Sequence, residues 1–416
     1  MEFFRRDFLR EMFIKPTNLI DTNKGKEYYD QLYKKAEERL NWLKSQKPVR
    51  EDDIKFDEYL SMWDISRRDF FKWVSMMTAT LMLPPSFEPL VAQAAEVMNR
   101  VPVIWINIQD CDGNTEALIR SSAPTVDELI LDYLSIEYQE TLMAAAGDQA
   151  EKCLEDAVKT FKGQYLLFVE GSIPVKMEYA FTTGRYPETG VQRVRRLAKD
   201  AKAVIAVGAC ASFGGVPAAY PNPTGAVGVM DVVSGVPVVN IPACPANPVN
   251  IVGVIMHYVL TGSLPELDSL KRPKFAFGYR IHDNCERRAH FDAGEFVEEW
   301  GDEGAKNNFC LYKMGCKGPF TFNNCSIVRY NDGTNWPIGV GRGCIGCSEP
   351  NFWDKYATER PVAASDIRPP AIGGVESTVD RVGLTILTAT AIGIGAHAVM
   401  SALSGKKETI TSNKEE

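Results

Sequence analysis

The chain has 416 residues, of which 45% are hydrophobic and 24% charged. These values are typical of a chain that folds around an apolar core, and they exclude a disordered, collagen-like or coiled-coil protein. Acidic residues outnumber basic ones by 54 to 46, giving a net charge of −8. A broad nucleic-acid surface is therefore not expected, and the length allows two or three domains.

Residues 1–64 form an N-terminal extension. Within it, Leu32, Ala36, Leu40 and Leu43 are spaced as one face of a helix. This spacing predicts a short amphipathic helix on a leader that is later removed. No function for this extension follows from its residues.

Residues 65–95 have the features of a signal peptide with paired arginines. Arg67 and Arg68 precede the apolar run Trp73–Leu83, and the small-residue site Ala92-Gln93-Ala94 follows. The run has 11 residues, which is too short to cross a bilayer. The segment predicts export of the main domain, in a folded state that already holds its cofactors.

Residues 96–270 predict an α/β domain. Apolar, β-rich runs alternate with stretches that suit helices, and this alternation is typical of a parallel sheet covered by helices on both faces. The predicted strands are Val101–Gln109, Tyr165–Glu170, Ala203–Gly208 and Val236–Ile241, and the predicted helices include Thr125–Ala145 and Ala150–Phe161.

Three cysteines, Cys111, Cys210 and Cys244, each follow the end of a predicted strand. Parallel sheets bind ligands beside the carboxyl ends of their strands, so these thiols are expected to meet at one site. Three thiolates need a fourth ligand to hold a cubane iron–sulfur cluster. Cys153 falls inside a predicted helix and is expected to be a small core side chain.

Residues 271–375 carry the other cysteines in an irregular, glycine-rich segment. His282, Cys285, Cys310 and Cys316 supply one imidazole and three thiolates, which suits a zinc site or an iron–sulfur cluster. Three further thiolates have no evident fourth partner, which argues against zinc and for a three-iron cluster. They are Cys325, Cys344 and Cys347.

Residues 382–403 predict a transmembrane anchor. The span contains one ionisable side chain, His397, and measures about 33 Å as a helix. Lys406 and Lys407 follow it and favour a cytoplasmic C-terminus, with the main domain on the periplasmic side. His397 is a candidate haem ligand toward a membrane partner; the alternative is a hydrogen bond to a neighbouring helix.

Several motifs together resemble the small subunit of membrane-bound, uptake-type nickel–iron hydrogenases. The resemblance covers about residues 66–405 and leaves the N-terminal extension outside. The motifs are Cys111 with Thr115-Glu116-Ala117-Leu118, Glu170-Gly171-Ser172-Ile173-Pro174, Gly208-Ala209-Cys210-Ala211-Ser212, His282-Asp283-Asn284-Cys285, Asn323-Asn324-Cys325, Asn335-Trp336-Pro337 and Cys344-Ile345-Gly346-Cys347-Ser348-Glu349-Pro350.

The resemblance implies a flavodoxin-like domain, a cluster-binding domain and three clusters in a row. It assigns a proximal [4Fe-4S] cluster to the first three cysteines, a distal [4Fe-4S] cluster to His282 and its three cysteines, and a medial [3Fe-4S] cluster to Cys325, Cys344 and Cys347. Pro337 stands where a fourth medial cysteine would complete a cubane.

The first motif departs from the family. Asn114 stands where the family has a second cysteine, so the type of the proximal cluster is open. Asp112 or Asn114 could give an oxygen ligand, the cluster could have three irons, or the site could be defective; oxygen ligation is favoured. Gly113 and Gly215 replace the extra cysteines of oxygen-tolerant relatives, so tolerance by that route is not expected.

By resemblance, the chain passes electrons from hydrogen oxidation to a membrane cytochrome b and quinone, or to another membrane iron–sulfur protein. No cysteine motif remains for nickel, so the nickel–iron site is expected on a partner large subunit. Three alternatives stay open: a hydrogen-sensing regulatory subunit, an electron-transfer module of another respiratory complex, and a structural protein stapled by disulfides.

Overall fold

The computed structural model describes residues 26–45, 67–95, 101–121, 134–184, 187–331, 333–355, 385–397 and 399–400. The chain divides into two compact units, residues 1–360 and 361–416. Every strand and labelled helix below belongs to the first unit, and the second is described separately.

A five-stranded parallel sheet forms the centre of the first unit. Its strands are β1 Pro102–Asn107, β2 Ser135–Gln139, β3 Leu166–Glu170, β4 Ala203–Val207 and β5 Val238–Ile241. Their order in the sheet is β2-β1-β3-β4-β5, which is the order of flavodoxin-like folds. The predicted α/β class is thereby confirmed, and the four predicted strands lie where the sequence placed them.

The edge strand β2 corrects one prediction. A helix was expected over 125–145, but residues 135–139 pair with β1 in parallel. Ile136 and Tyr138 favour a strand, and Tyr138 is buried against the helices of one sheet face. The periodicity of this short segment did not separate the two structures, and residues 122–133 lie outside the described part of the chain.

In the part of the chain that the structure describes up to residue 261, eight α-helices accompany the sheet: α1 Lys26–Ser45, α2 Arg67–Thr80, α3 Glu88–Ala95, α4 Gly113–Ile119, α5 Asp148–Thr160, α6 Gly190–Lys199, α7 Gly208–Phe213 and α8 Pro248–Thr261. Alternate side chains of each strand enter two apolar cores. The core on one face includes α5 and α6, and the core on the other includes α8 and the three N-terminal helices. The helix predicted near 150–161 is confirmed as α5.

Helix α8 begins and ends at clear capping residues. Asn247 accepts a side-chain hydrogen bond from Val249 N at 3.0 Å, and Pro248 occupies the first turn. Gly262 ends the helix in the left-handed conformation, with φ of 65°. These caps fix α8 directly after Cys244, so the loop that carries this cysteine has little freedom.

In the described residues between 271 and 355 the chain has only short helical segments, as the sequence predicted. They are α9 Lys274–Phe277, α10 Arg288–Asp292, α11 Glu303–Lys306, α12 Cys325–Val328 and α13 Phe352–Lys355, with 3₁₀ turns at Ile281–Asn284, Tyr312–Met314 and Gly318–Phe320. The small apolar core here mixes ordinary side chains with cysteines. The segment therefore depends on what its cysteines bind, because its apolar core alone is small.

A reciprocal amide pair joins this segment to the sheet domain. Asn250 Nδ2 donates to Asn324 Oδ1 at 2.9 Å, and Asn324 Nδ2 donates to Asn250 Oδ1 at 2.8 Å. Both side chains are buried, at 1% and 8% exposure. The pair ties α8 to the residue that precedes Cys325.

The second unit contains the predicted anchor. Residues 385–397 and 399–400 are helical and exposed, and His397 is on this helix. Within the described residues, no helix combines the length and hydropathy that a membrane crossing requires. Residues 382–384, 398 and 401–403 of the predicted span lie outside the described part.

Replacing Asn250 or Asn324 by alanine tests the amide pair. Each single change leaves a buried amide without its partner, and we expect it to lower the free energy of unfolding by about 1–3 kcal/mol. The double variant should lose less stability than the two single variants added together, because the second substitution removes the amide that the first left without a partner. Denaturant titration measures all three, with exposed Asp156→Ala as control; strictly additive losses would contradict the pairing.

Candidate electron-transfer site: three groups of cysteines

The first group, Cys111, Cys210 and Cys244, lies at the carboxyl edge of the sheet. Cys111 follows β1, Cys210 lies in α7 directly after β4, and Cys244 follows β5. The three thiols are close enough for their charges to interact. Burial raises the pKa of Cys210 to about 12, although the Val216 backbone acts in the opposite direction and lowers it. The sheet thus brings together cysteines that are far apart in sequence.

Glycines leave room for these sulfurs. A Cβ on Gly215, where φ is +60°, would lie 2.4 Å from Cys210 Sγ, and one on Gly113 would lie 3.1 Å from Cys111 Sγ. A side chain at Gly215 would therefore displace the Cys210 sulfur. Both glycines thus serve the thiols that the sequence predicted to meet here.

Glu170 organises the backbone beside the first group. Its side chain is fully buried at the end of β3 and accepts hydrogen bonds from three residues. The donors are Asn114 N at 2.7 Å and Nδ2 at 2.9 Å, Thr115 N at 3.1 Å and Oγ1 at 2.6 Å, and Trp105 Nε1 at 3.3 Å. The carboxylate thereby holds the first turn of α4 next to Cys111.

The Asn114 side chain is engaged at both ends. Its nitrogen donates to Glu170, and its oxygen accepts from Ala246 N at 2.8 Å. Gly208 makes room for it, because a Cβ there would lie 2.5 Å from Asn114 Nδ2. Asn114 therefore links β3, α4 and the loop after Cys244.

Asp112 is the other oxygen-bearing residue of the first motif. It adopts a left-handed conformation, and its carboxylate accepts from Asn107 Nδ2 at 2.9 Å and from Thr141 Oγ1 at 3.1 Å. Asp110 lies nearby, with a pKa raised to about 6 by burial and then by the Glu170 charge. Carboxylate oxygens are thus available beside Cys111, each with hydrogen-bond partners from the protein.

The second group, His282, Cys285, Cys310 and Cys316, lines one small cavity. Burial and then the Arg288 charge lower the pKa of His282 to about 4, so its imidazole is neutral at pH 7 and able to bind a metal. Burial raises the pKa of Cys285 to about 11. Backbone amides donate to the sulfurs: Arg287 N to Cys285 Sγ at 3.4 Å, and Gly318 N to Cys316 Sγ at 3.4 Å.

The third group, Cys325, Cys344 and Cys347, borders a larger cavity of about 870 Å³, which Cys244 and Pro337 also line. Burial raises the pKa of all three thiols, that of Cys347 to about 11. Gly346 N donates to Cys344 Sγ at 3.3 Å. Neutral buried thiols must lose protons to bind metal, so occupation of these sites releases protons.

The three groups are joined in a fixed sequence. Cys244 of the first group and Cys347 of the third line the same cavity and are close enough for their charges to interact, which connects the first group to the third. Cys344 N donates to Cys316 Sγ at 3.3 Å, which connects the third group to the second. The third group therefore lies between the other two.

The spacing of the ligand atoms distinguishes a site for a single metal ion from a site for a cluster. A tetrahedral zinc ion, about 2.3 Å from each sulfur, holds its ligands about 4 Å apart. Within the described residues, the only three ligand atoms within 4.8 Å of one another belong to Asp110, Asp112 and Glu170. In each cysteine group at least one pair of ligand atoms therefore lies more than 4.8 Å apart, and this separation suits a cluster whose own atoms lie between the ligands.

Two other predicted residues, Cys153 and His397, are not members of these groups. Cys153 is exposed on α5, so its prediction as a core side chain is wrong: it falls on the solvent side of the helix, next to buried Leu154. His397 belongs to the second unit. All ten cysteines are free thiols in the structure, so nothing in it supports the disulfide-stapled alternative.

Tyr330 is a residue of the site that no sequence motif predicted. Its hydroxyl donates to Pro245 O at 3.1 Å and also makes a hydrogen bond with the Cys325 thiol. It thus bridges the loop after Cys244 and the third group. No motif marks this tyrosine, because both contacts come from the tertiary fold.

A parallel sheet in flavodoxin order, with linked groups of cysteines from its carboxyl edge onward, defines the class of iron–sulfur electron-transfer proteins. Two family models match the chain. The C-terminal model of the NiFe/NiFeSe hydrogenase small subunit matches residues 277–359, which include the second and third groups. The model of the NADH ubiquinone oxidoreductase 20 Kd subunit matches residues 111–258, in the sheet domain.

Relatives and solved structures agree with this class. The quinone-reactive Ni/Fe-hydrogenase small chain of Wolinella succinogenes is 51% identical over 83% of this chain and 98% of its own length. The uptake hydrogenase small subunit of Azotobacter vinelandii is 45% identical over 84% of this chain and 96% of its own length. The [NiFeSe]-hydrogenase of Dm. baculatum superposes with a TM-score of 0.59 at 34% identity, over 63% of this chain and 99% of that one.

The chain belongs to the family of nickel–iron hydrogenase small subunits. It is the electron-transfer part of an oxidoreductase that acts on hydrogen, and the catalytic site is on the large subunit. The family implies iron–sulfur clusters and a large-subunit partner.

Replacing Glu170 by glutamine tests its organising role. The glutamine NH2 group is a donor, and it would face the N–H and O–H groups that now donate to the Glu170 carboxylate. We therefore expect a loss of about 1.5–3 kcal/mol in the free energy of unfolding. Denaturant titration of the full chain measures it, with the exposed Glu299→Gln as control. An unchanged midpoint would show that the hydrogen bonds to Glu170 do not hold the Cys111 loop.

Proposed function

We propose that the three cysteine groups hold three iron–sulfur clusters, which carry single electrons in the order first, third, second group. Cys111, Cys210 and Cys244 hold the proximal cluster, Cys325, Cys344 and Cys347 a medial [3Fe-4S] cluster, and His282 with Cys285, Cys310 and Cys316 a distal [4Fe-4S] cluster. The carrying observation is that the groups are linked in this sequence, since Cys244 and Cys347 line one cavity and Cys344 N donates to Cys316 Sγ.

The ligand chemistry supports this assignment. Buried thiols with raised pKa values, a neutral imidazole and backbone N–H donors aimed at sulfur suit cluster ligation. Pro337 lines the cavity of the third group and offers no ligand atom, so three thiolates serve the medial cluster. When bound, the clusters supply one-electron redox chemistry at potentials that the surrounding protein sets.

For the proximal cluster, we favour a [4Fe-4S] cubane with Asp112 as the oxygen ligand. Both ends of the Asn114 amide are already used by Glu170 and Ala246. Asp112 accepts hydrogen bonds instead from Asn107 and from the exposed Thr141, and its carboxylate is anionic as a thiolate is. Asn114 then acts as a spacer that fixes α4 and the loop after Cys244.

The protein places positive charge beside the distal ligands. Lys317 is buried, at 1% exposure, and its charge interacts with the Cys316 sulfur. Its Nζ also donates to Gly315 O. A buried cation offsets the negative charge of a thiolate-bound cluster and raises its reduction potential. Lys317 therefore makes the distal cluster, the last of the three carriers, easier to reduce.

We further propose the domain boundaries and the membrane location. Residues 1–64 are an extension, 65–95 a twin-arginine signal peptide, 96–270 the proximal-cluster domain, 271–375 the medial and distal domain, and 382–403 a transmembrane anchor. The main domain then lies on the periplasmic side. The acceptor is a membrane cytochrome b with quinone, which the quinone-reactive relative of Wolinella succinogenes supports, and His397 is a candidate haem ligand. A membrane iron–sulfur protein is the other candidate acceptor.

Two rival functions fit less well. A hydrogen-sensing subunit signals in the cytoplasm and needs neither the export signal nor the anchor. A module of another respiratory complex would account for the match over residues 111–258 but not for the hydrogenase match over residues 277–359.

Alanine variants of Asp112 and Asn114 test the proximal ligand. The complex with the large subunit, purified anaerobically, should contain about 11 irons in this chain, from two four-iron clusters and one three-iron cluster. Asp112→Ala should lose one iron, and Asn114→Ala should keep all 11. Iron quantitation, corrected for the large subunit's own iron, measures this, and EPR reports any new three-iron signal.

The reverse pattern, with iron lost only in Asn114→Ala, would contradict Asp112 as the ligand. About 10 irons in the unaltered protein would show that its proximal cluster has three irons. Thr141→Ala is the matched control, because it removes a hydrogen bond to Asp112 without removing a ligand atom.

Lys317→Met tests the buried cation. Loss of the positive charge should lower the reduction potential of the distal cluster and leave the medial one unchanged. Potentiometric EPR titration of the complex measures both, with the exposed Lys313→Met as control. An unchanged distal potential would show that Lys317 acts only in packing.

A further inference from the structure

The leader of the unprocessed chain is folded onto the sheet domain. Helices α2 and α3, which contain the proposed export signal and its cleavage site, share one apolar core with α8. Phe70, Trp73, Val74 and Met77 of α2 have at most 6% of their surface exposed. The apolar run that an export receptor would meet is thus turned into the protein.

The N-terminal extension holds these helices in place. In α1, Ala36 and Leu40 have no exposed surface, because they pack between α8 and α3. Tyr33 meets Phe87 edge-on, with ring centroids 5.2 Å apart. Lys44 Nζ donates to Gln93 Oε1, at 3.3 Å, inside the proposed cleavage site.

Charge complementarity adds to the apolar contact. Arg39 of α1 lies at the C-terminal end of α8, where a Cβ on Gly262 would be 3.3 Å from its Nε. Helix C-termini carry partial negative charge and favour a cation. The fit of α1 on α8 therefore has both an apolar part and an electrostatic part.

The same leader borders the cluster cavity. Lys72, Trp73 and Met76 of α2 line the cavity of about 870 Å³ together with Cys244 and Cys347. A protein that approaches the proximal cysteines from this side meets α2 first. The cleavage site is equally shielded, since Ala94 is fully buried within a helix, whereas proteases cut exposed, irregular chain.

We propose that α1 is an intramolecular clamp that keeps the export signal closed on α8 until the large subunit docks at this cavity and displaces α2. This inference rests on the proposed export of the chain. It gives the N-terminal extension a function: the signal becomes readable only on chains that have found their catalytic partner.

Hydrogen exchange of the full-length chain tests the clamp. In the isolated chain, the amides of residues 70–81 should be protected beyond what an isolated helix shows. Leu40→Asp should speed their exchange roughly tenfold or more, because it puts a charge into the contact and removes a buried side chain. Asn41→Asp, one residue away and exposed, is the matched control and should have no effect.

The large subunit supplies the second arm of the test. Its addition to the unaltered chain should raise exchange at residues 70–81 to the level of Leu40→Asp. Unprotected amides in the isolated chain, equal exchange in the two variants, or protection that survives complex formation would each overturn the clamp. Iron content, measured in the same samples, tests the cluster assignment separately, so failure of one is distinguishable from failure of the other.

Discussion

The separation between the cysteine sulfurs is the constraint on which the whole structure depends. In each group at least one pair of ligand atoms is farther apart than a single tetrahedral ion holds its ligands, and burial raises the pKa of the three thiols of the third group. Burial keeps these thiols neutral, whereas the backbone N–H of Gly346 donates to Cys344 Sγ and favours the thiolate form that a cluster binds. The fold therefore makes sense as a scaffold for inorganic clusters.

Two different parts of the scaffold meet this constraint. The sheet positions the first group rigidly, because Glu170 and Asn114 tie β3, α4 and the loop before α8 into one hydrogen-bonded unit. The segment after residue 271 has little regular structure and is fixed by local N–H donors to sulfur and by the Asn250–Asn324 pair. Electron transfer needs both the sheet domain and this segment to be rigid, since carriers in fixed positions exchange electrons without rearrangement of the protein.

Much of this architecture could be predicted from the sequence, for identifiable reasons. Continuous apolar runs mark buried parallel strands, and parallel strands bring their following residues to one edge, which is why Cys111, Cys210 and Cys244 were expected together. What the sequence did not reveal depends on long-range contacts. The edge strand β2 exists because β1 is beside it, Asn114 is bonded to Ala246 across 132 positions, and Tyr330 bridges two groups through the tertiary fold. The exposure of Cys153 depends on which side of α5 faces the sheet.

On the proposed assignment of Asp112 as the oxygen ligand, the departure at Asn114 changes one ligand of the site and keeps its frame. Its amide fills the space that Gly208 leaves and takes hydrogen bonds that a thiolate ligand would not make. The loop after Cys244 is thereby held by the protein itself, and Asp112 offers a carboxylate next to Cys111 in the same loop. A family signature with one altered residue is thus better interpreted through that residue's new contacts than as a loss of the site.

Anomalous X-ray scattering at the iron edge, from crystals of the anaerobically purified complex, tests the central claim most directly. The account predicts three separate iron peaks in this subunit, one beside each cysteine group, with the peak at Cys325, Cys344 and Cys347 between the other two. A correctly folded protein with a single peak, with peaks elsewhere or with none would contradict it.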